Sequence, residues 1–114
     1  MKKQTIINRQ KKSLNDLEKK EPKKFLIVQS HDKHNIIGQT IIKGIIKNMA
    51  KICTYKDIGI ELSFFSKTGT LLEKDTETIY TVIPPNSSSD FKSKYYAPKA
   101  TDSVVIKITG ATAE

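Results

Sequence analysis

From Phe25 onward, apolar and polar residues alternate one for one over long runs. Ile58, Ile60, Leu62 and Phe64 interleave with Asp57, Gly59, Glu61 and Ser63. Val104, Ile106 and Ile108 interleave with Val105, Lys107 and Thr109 in the same way. A period of two sorts side chains onto the two faces of an extended strand, whereas a helix needs a period near 3.6. Between Ile36 and Asn48 the even positions Ile42 and Ile46 oppose Lys43 and Lys47, so the even face is expected to point inward. Gly44 falls on that inward face and predicts a bulge or a close backbone approach. Composition agrees: Ile, Val, Thr, Phe and Tyr fill 36 of the 90 positions from Phe25 to Glu114. These β-branched and aromatic side chains suit a pleated, half-buried surface.

The expected strands run near 25–30, 36–48, 54–66, 70–83, 89–96 and 103–110. His31-Asp32-Lys33-His34 reads as the link between the first two, and 48–51 as the link between the second and third. Ser66-Lys67-Thr68-Gly69 reads as a hairpin turn in which Gly69 supplies a positive φ. Pro84 to Ser88 and Ala97 to Ala100 read as loops. Short strands at this spacing, with no helical pattern between them, predict an all-β fold. A unit of about 90 residues matches a two-sheet antiparallel immunoglobulin-like sandwich.

The 114 residues carry 20 Lys+Arg against 12 Asp+Glu, a formal charge of +8. That length supports a single domain. Residues 1–24 hold nine of the basic residues and three of the acidic ones, so most of the excess lies ahead of Phe25. The expected division is therefore a Lys-rich tail or linker over 1–24 and a β-sandwich over 25–114. Ser13-Leu14-Asn15-Asp16 has the form of a helix start, with Ser13 as N-cap and Asp16 three residues on. Pro22 would stop such a helix near Glu21, and a helix that short is marginal unless something packs on it. A largely flexible tail is the reading preferred here, with a short helix near 13–21 as the alternative.

One cysteine, Cys53, allows neither an internal disulfide nor a Cys-based zinc site. No stretch approaches the roughly 18–20 apolar residues of a membrane span. Met1-Lys2-Lys3 has the charge of a signal-peptide start, but only Ile6 and Ile7 follow before Asn8, so the apolar segment of such a peptide is missing.

The order of motifs resembles the bacterial FxLyD-type immunoglobulin-like domains. Gly44-Ile45-Ile46-Lys47-Asn48 is similar to the family's "G-x-V-x-N" strand ending. Ile60 to Leu72 stands where its naming strand lies, with Phe64-Phe65 as the aromatic pair and Ser66 where the family has a turn Asp. Thr81 to Phe91 is similar to "L-x-P-G-x-x-x-x-F", with Asn86 in place of Gly, a residue that also tolerates the left-handed conformation. Val104 to Ala111 matches the closing strand. The resemblance covers residues 25–114. It implies a two-sheet sandwich acting as an accessory or interaction module, often in envelope or extracellular proteins, and it brings no catalytic residues.

Candidate chemistry is sparse. His31 and His34 with Asp32 form a three-ligand set of the kind zinc, nickel or copper takes, but the sequence holds no further His, and a polar inter-strand loop accounts for them. Cys53 has no neighbouring base and reads as a small core residue. Ser87, Ser88 and Ser89 lack a G-x-S-x-G elbow and read as turn residues. Glu73, Asp75 and Glu77 share a strand face and read as a solvated edge diluted by Lys74. No catalytic residue, metal site or cofactor is expected.

Surface recognition is better supplied. Phe91, Ser93 and Tyr95 share one parity and are expected to face inward, which leaves Lys92, Lys94 and Tyr96 in solvent. Ile41 and Ile45 share a face with Lys43 and Lys47, and an uncovered pair of isoleucines marks a contact surface. The expectation is a non-enzymatic protein-interaction module whose partner-binding residues are Ile41, Ile45 and Tyr96. The alternative is a nucleic-acid-binding module using the tail with Lys92, Lys94 and Tyr96, although residues 1–24 offer no aromatic platform for base stacking.

Overall fold

The structure, a computed structural model, describes residues 13–34 and 40–114, and the side chains of 13–31 and 40–114. The basic positions of 1–12 and the expected strand start at 36–39 lie outside the described residues. Helix α1 (Leu14–Lys20) and a 3₁₀ turn (Pro22–Lys24) lead into six strands: β1 (Leu26–His34), β2 (Thr40–Asn48), β3 (Tyr55–Phe65), β4 (Leu71–Ile83), β5 (Ser87–Tyr95) and β6 (Ser103–Ala113). They form two three-stranded antiparallel sheets, ordered β1-β2-β5 and β4-β3-β6. The class is all-β.

Both inner faces follow from the alternation. Ile42 and Ile46 from the first sheet meet Ile58, Ile60, Leu62 and Phe64 from the second, all essentially without solvent contact. Each such side chain contributes about 1.5–3 kcal/mol through removal from water. Tyr55 is equally buried although its parity is opposite to that of Ile58. A register shift between Lys56 and Ile58, with Asp57 at φ 51°, lets both point inward. An extra bulge residue reverses the alternation locally, and Asp tolerates a positive φ better than most residues.

Gly44 sits in an unbroken register between Ser30 and Phe91, so the expected bulge is absent and the close approach is what occurs. A Cβ there would lie 2.6 Å from the Phe91 ring and 2.7 Å from the Gln29 carbonyl oxygen. The β3–β4 turn closes with Gly69 at φ 83°, its N–H donating to the Ser66 carbonyl. Asn86, at φ 56°, turns the chain into β5 and donates its N–H to the Ala50 carbonyl.

Two segments differ from the sequence reading. His31 to His34 belong to β1 instead of linking it to β2, paired residue by residue with Lys43 to Thr40. A polar tetrapeptide can extend a strand when the backbone ladder continues beneath it. Ser87 to Ser89 likewise open β5 instead of forming a loop.

The segment 13–24 is folded, unlike the flexible tether expected over it. Ser13 caps α1 by accepting the Asp16 N–H at 3.2 Å, as its spacing predicts. Lys19 and Lys20 occupy the last turn, where the helix dipole favours cations, and Pro22 ends the helix. Seven residues do not hold a helix alone. What holds this one is tertiary.

Candidate functional site

The tertiary anchor is Glu18. Its carboxylate has no solvent contact and accepts three successive backbone N–H groups from the turn after β2: Lys51 at 2.9 Å, Ile52 at 3.0 Å and Cys53 at 2.7 Å. The Tyr55 hydroxyl donates to the Glu18 carbonyl at 2.6 Å, and the Cys53 thiol to Asn15 Oδ1 at 3.3 Å. Burial alone would raise the Glu18 pKa, but the three N–H donors outweigh it and hold the carboxyl below its ordinary value. Burial and the Glu18 charge push the Cys53 thiol up, and burial pushes the Tyr55 phenol up to about 12. Cys53 is thus a buried, protonated thiol, a weak nucleophile.

Asn48 closes the same corner. Its amide N–H₂ donates to the carbonyls of Cys53 (2.9 Å), Ile83 (3.0 Å) and Pro84 (3.2 Å), while its Oδ1 accepts the Ala50 N–H at 2.8 Å. These bonds tie the end of β2 to the end of β4 across the two sheets.

Along the seam between β4 and β5, Glu77 of β4 accepts hydrogen bonds from Ser93, at 2.8 Å, and from Tyr95 of β5. Its sequence context, with Glu73 and Asp75 on one strand face, predicts a solvated edge. Glu77 instead bridges the sheets, because β4 and β5 are facing edges whose side chains meet without a backbone ladder. Burial and the Glu77 hydrogen bond push the Tyr95 phenol up. The Tyr95 ring also meets Phe64 edge to face at 6.2 Å. Glu73 and Asp75 remain exposed.

Among the described residues, no His, Cys, Asp and Glu side chains gather in a group of three that could hold a metal ion. No described helix is long and apolar enough to cross a membrane.

The outer face of the first sheet gathers the surface residues singled out from the sequence. Ile41 is half-buried there and Ile45 is 37% exposed. Cross-strand pairing sets Ile41 beside Lys94, Lys43 beside Lys92, and Ile45 beside Asp90. Tyr96, 75% exposed, continues the parity of Lys92 and Lys94 just past β5. Ile27, exposed on β1, adds a third isoleucine beside Lys47. Helix α1 docks at the 51–55 corner, and among the described residues no helix packs on this face. The isoleucines and the Lys–Tyr cluster, assigned to competing functions from the sequence, occupy one surface.

Sequence reasoning missed Glu18. It falls at the i, i+3, i+4 spacing from Leu14 and Leu17 where a third apolar residue belongs, and that misplacement is the one hint it leaves.

No family model matches the chain, and no curated protein matches it. Among solved structures it is similar to the X-ray structure of Northeast Structural Genomics Consortium target SoR45, with a TM-score of 0.47 and 9% identity over 80% of this chain and 86% of that one.

Proposed function

We propose that the chain is a non-enzymatic protein-interaction module, an immunoglobulin-like sandwich whose outer β1-β2-β5 face is the docking surface. The single observation that carries the reading is the Ile41–Ile45 stripe, half-buried at Ile41 and exposed at Ile45, on a face that no described helix covers. The buried Cys53 thiol and the hydrogen-bonded carboxylates of Glu18 and Glu77 serve packing, and an interaction surface is what the exposed residues offer. The strand order and the resemblance of residues 25–114 to FxLyD-type bacterial domains support an immunoglobulin-like accessory role in the cell envelope.

Affinity capture tests it. The Ile41→Lys/Ile45→Lys variant is expected to keep its amide spectrum and to lose a protein that the unaltered chain retains. A variant that unfolds would instead place both residues in the core, and retention of the same protein would remove the face from the interaction.

A further inference from the structure

The register gives this face a charge pattern as well as an apolar stripe. His31, Lys43 and Lys92 form one row across β1, β2 and β5. Lys43 and Lys92 are direct cross-strand neighbours, and like charges in that position destabilise a sheet. Among the described residues, none of Lys43, Lys47, Lys92 and Lys94 has an ion pair within 4.0 Å. The second sheet treats its lysines differently. There Glu61 stands between Lys74, at 3.7 Å, and Lys107, at 3.5 Å.

Two rows along, Ile45 pairs with Asp90. The intervening Gly44–Phe91 row turns its side-chain positions inward. This leaves a shallow depression of about 440 Å³, with His31, Lys43 and Lys92 on one side and Ile45 and Asp90 on the other.

We infer that this depression receives a carboxylate side chain from an acidic polypeptide segment in which carboxylates and apolar residues alternate at every second position. The inference rests on the docking-face reading and adds the chemistry of the partner. Charge complementarity carries it: a carboxylate between Lys43 and Lys92 would do there what Glu61 does between Lys74 and Lys107. Spacing supports it. Strand β2 presents Ile41, Lys43, Ile45 and Lys47 in turn, at roughly 7 Å intervals. The residues on one face of an extended partner repeat at the same interval, so carboxylates and apolar side chains in turn along that face reach the lysines and cover Ile41 and Ile45. A nucleic acid fits less well. Asp90 lies within the face where a continuous polyphosphate would run, and Tyr96 stands at its margin.

The test titrates the isotope-labelled full chain with a short synthetic peptide of repeated Glu-Ser-Val-Ser, which sets Glu and Val in turn along one face of an extended chain. Saturable amide shifts confined to β1, β2 and β5 are expected. Affinity should fall at least about tenfold in Lys43→Glu/Lys92→Glu, whose peptide-free spectrum reports its folding. Lys43→Gln, a milder change, should weaken binding in the same direction. Lys74→Ala/Lys107→Ala should leave affinity within about twofold, since exposed charges on the other sheet act only through screened solvent. No binding by the peptide, or binding indifferent to the lysine variants, overturns the inference. So does tighter binding of a short single-stranded oligonucleotide at the same residues, or a concentration-dependent dimer that buries them. If Ile41→Lys/Ile45→Lys abolishes capture of a native protein while Lys43→Glu/Lys92→Glu does not, the docking face stands and the acidic partner falls. If neither variant weakens capture, the docking face itself falls.

Discussion

The corner closed by Glu18 and the outer face of the first sheet handle charge in opposite ways. At the corner a carboxylate with no solvent contact has three backbone donors from residues 51–53. On the face, Lys43 and Lys92 stand side by side with no carboxylate within 4.0 Å among the described residues. Burial explains the first. A buried ion without partners costs several kcal/mol, so a fold that keeps one must surround it. Exposure permits the second, because water solvates each ammonium and the residual repulsion is small. The corner therefore serves the fold, and the face carries charges that the described residues leave without an ion pair.

Substitutions at the two places should differ in both size and sign. Glu18→Ala leaves three N–H groups of the 51–53 turn without their acceptor and releases α1. It should cost about 3–5 kcal/mol in urea unfolding. A cost below about 1 kcal/mol would mean that water replaces the carboxylate freely and that the corner is no constraint.

Acid should reach the same corner by a different route. The folded Glu18 pKa lies below its unfolded value, so its contribution is complete above the ordinary value of 4.5 and is lost as pH falls through the depressed folded value. Unfolding followed from neutral pH to about pH 3 should show stability falling, with a smaller fall in Glu18→Gln. Equal falls in the two proteins would assign the acid sensitivity to other carboxylates.

Gly44→Ala lies between the corner and the face in expected effect. Its methyl would press on the Phe91 ring and the Gln29 carbonyl from the inner side, costing about 1–3 kcal/mol. Trimming Phe91 to Leu in the same chain should recover part of the loss, which a double-mutant cycle reads directly.

Much of this architecture was legible in the chain. Alternation located the strands, and parity placed Ile42 and Ile46 inside with Ile45 and Tyr96 outside, because burial of one face imposes a period of two. Ser13 announced the start of α1 through a local hydrogen bond. The Glu18 cradle was not legible: its donors are backbone N–H groups, which every residue of 51–53 carries whatever its side chain. The pairing of Lys43 with Lys92 was equally hidden, since it depends on the register of two strands far apart in sequence. His31 to His34 misled because polar side chains on the edge strand β1 resemble a loop.

The most direct test of the contrast is the urea unfolding of Lys92→Glu. If Lys43 and Lys92 stand uncompensated, the reversal creates a cross-strand ion pair and should raise stability by about 0.5–1 kcal/mol. Destabilisation by a similar amount would show that Lys92 already has a counter-charge within the chain, and the two regions would then not differ as described.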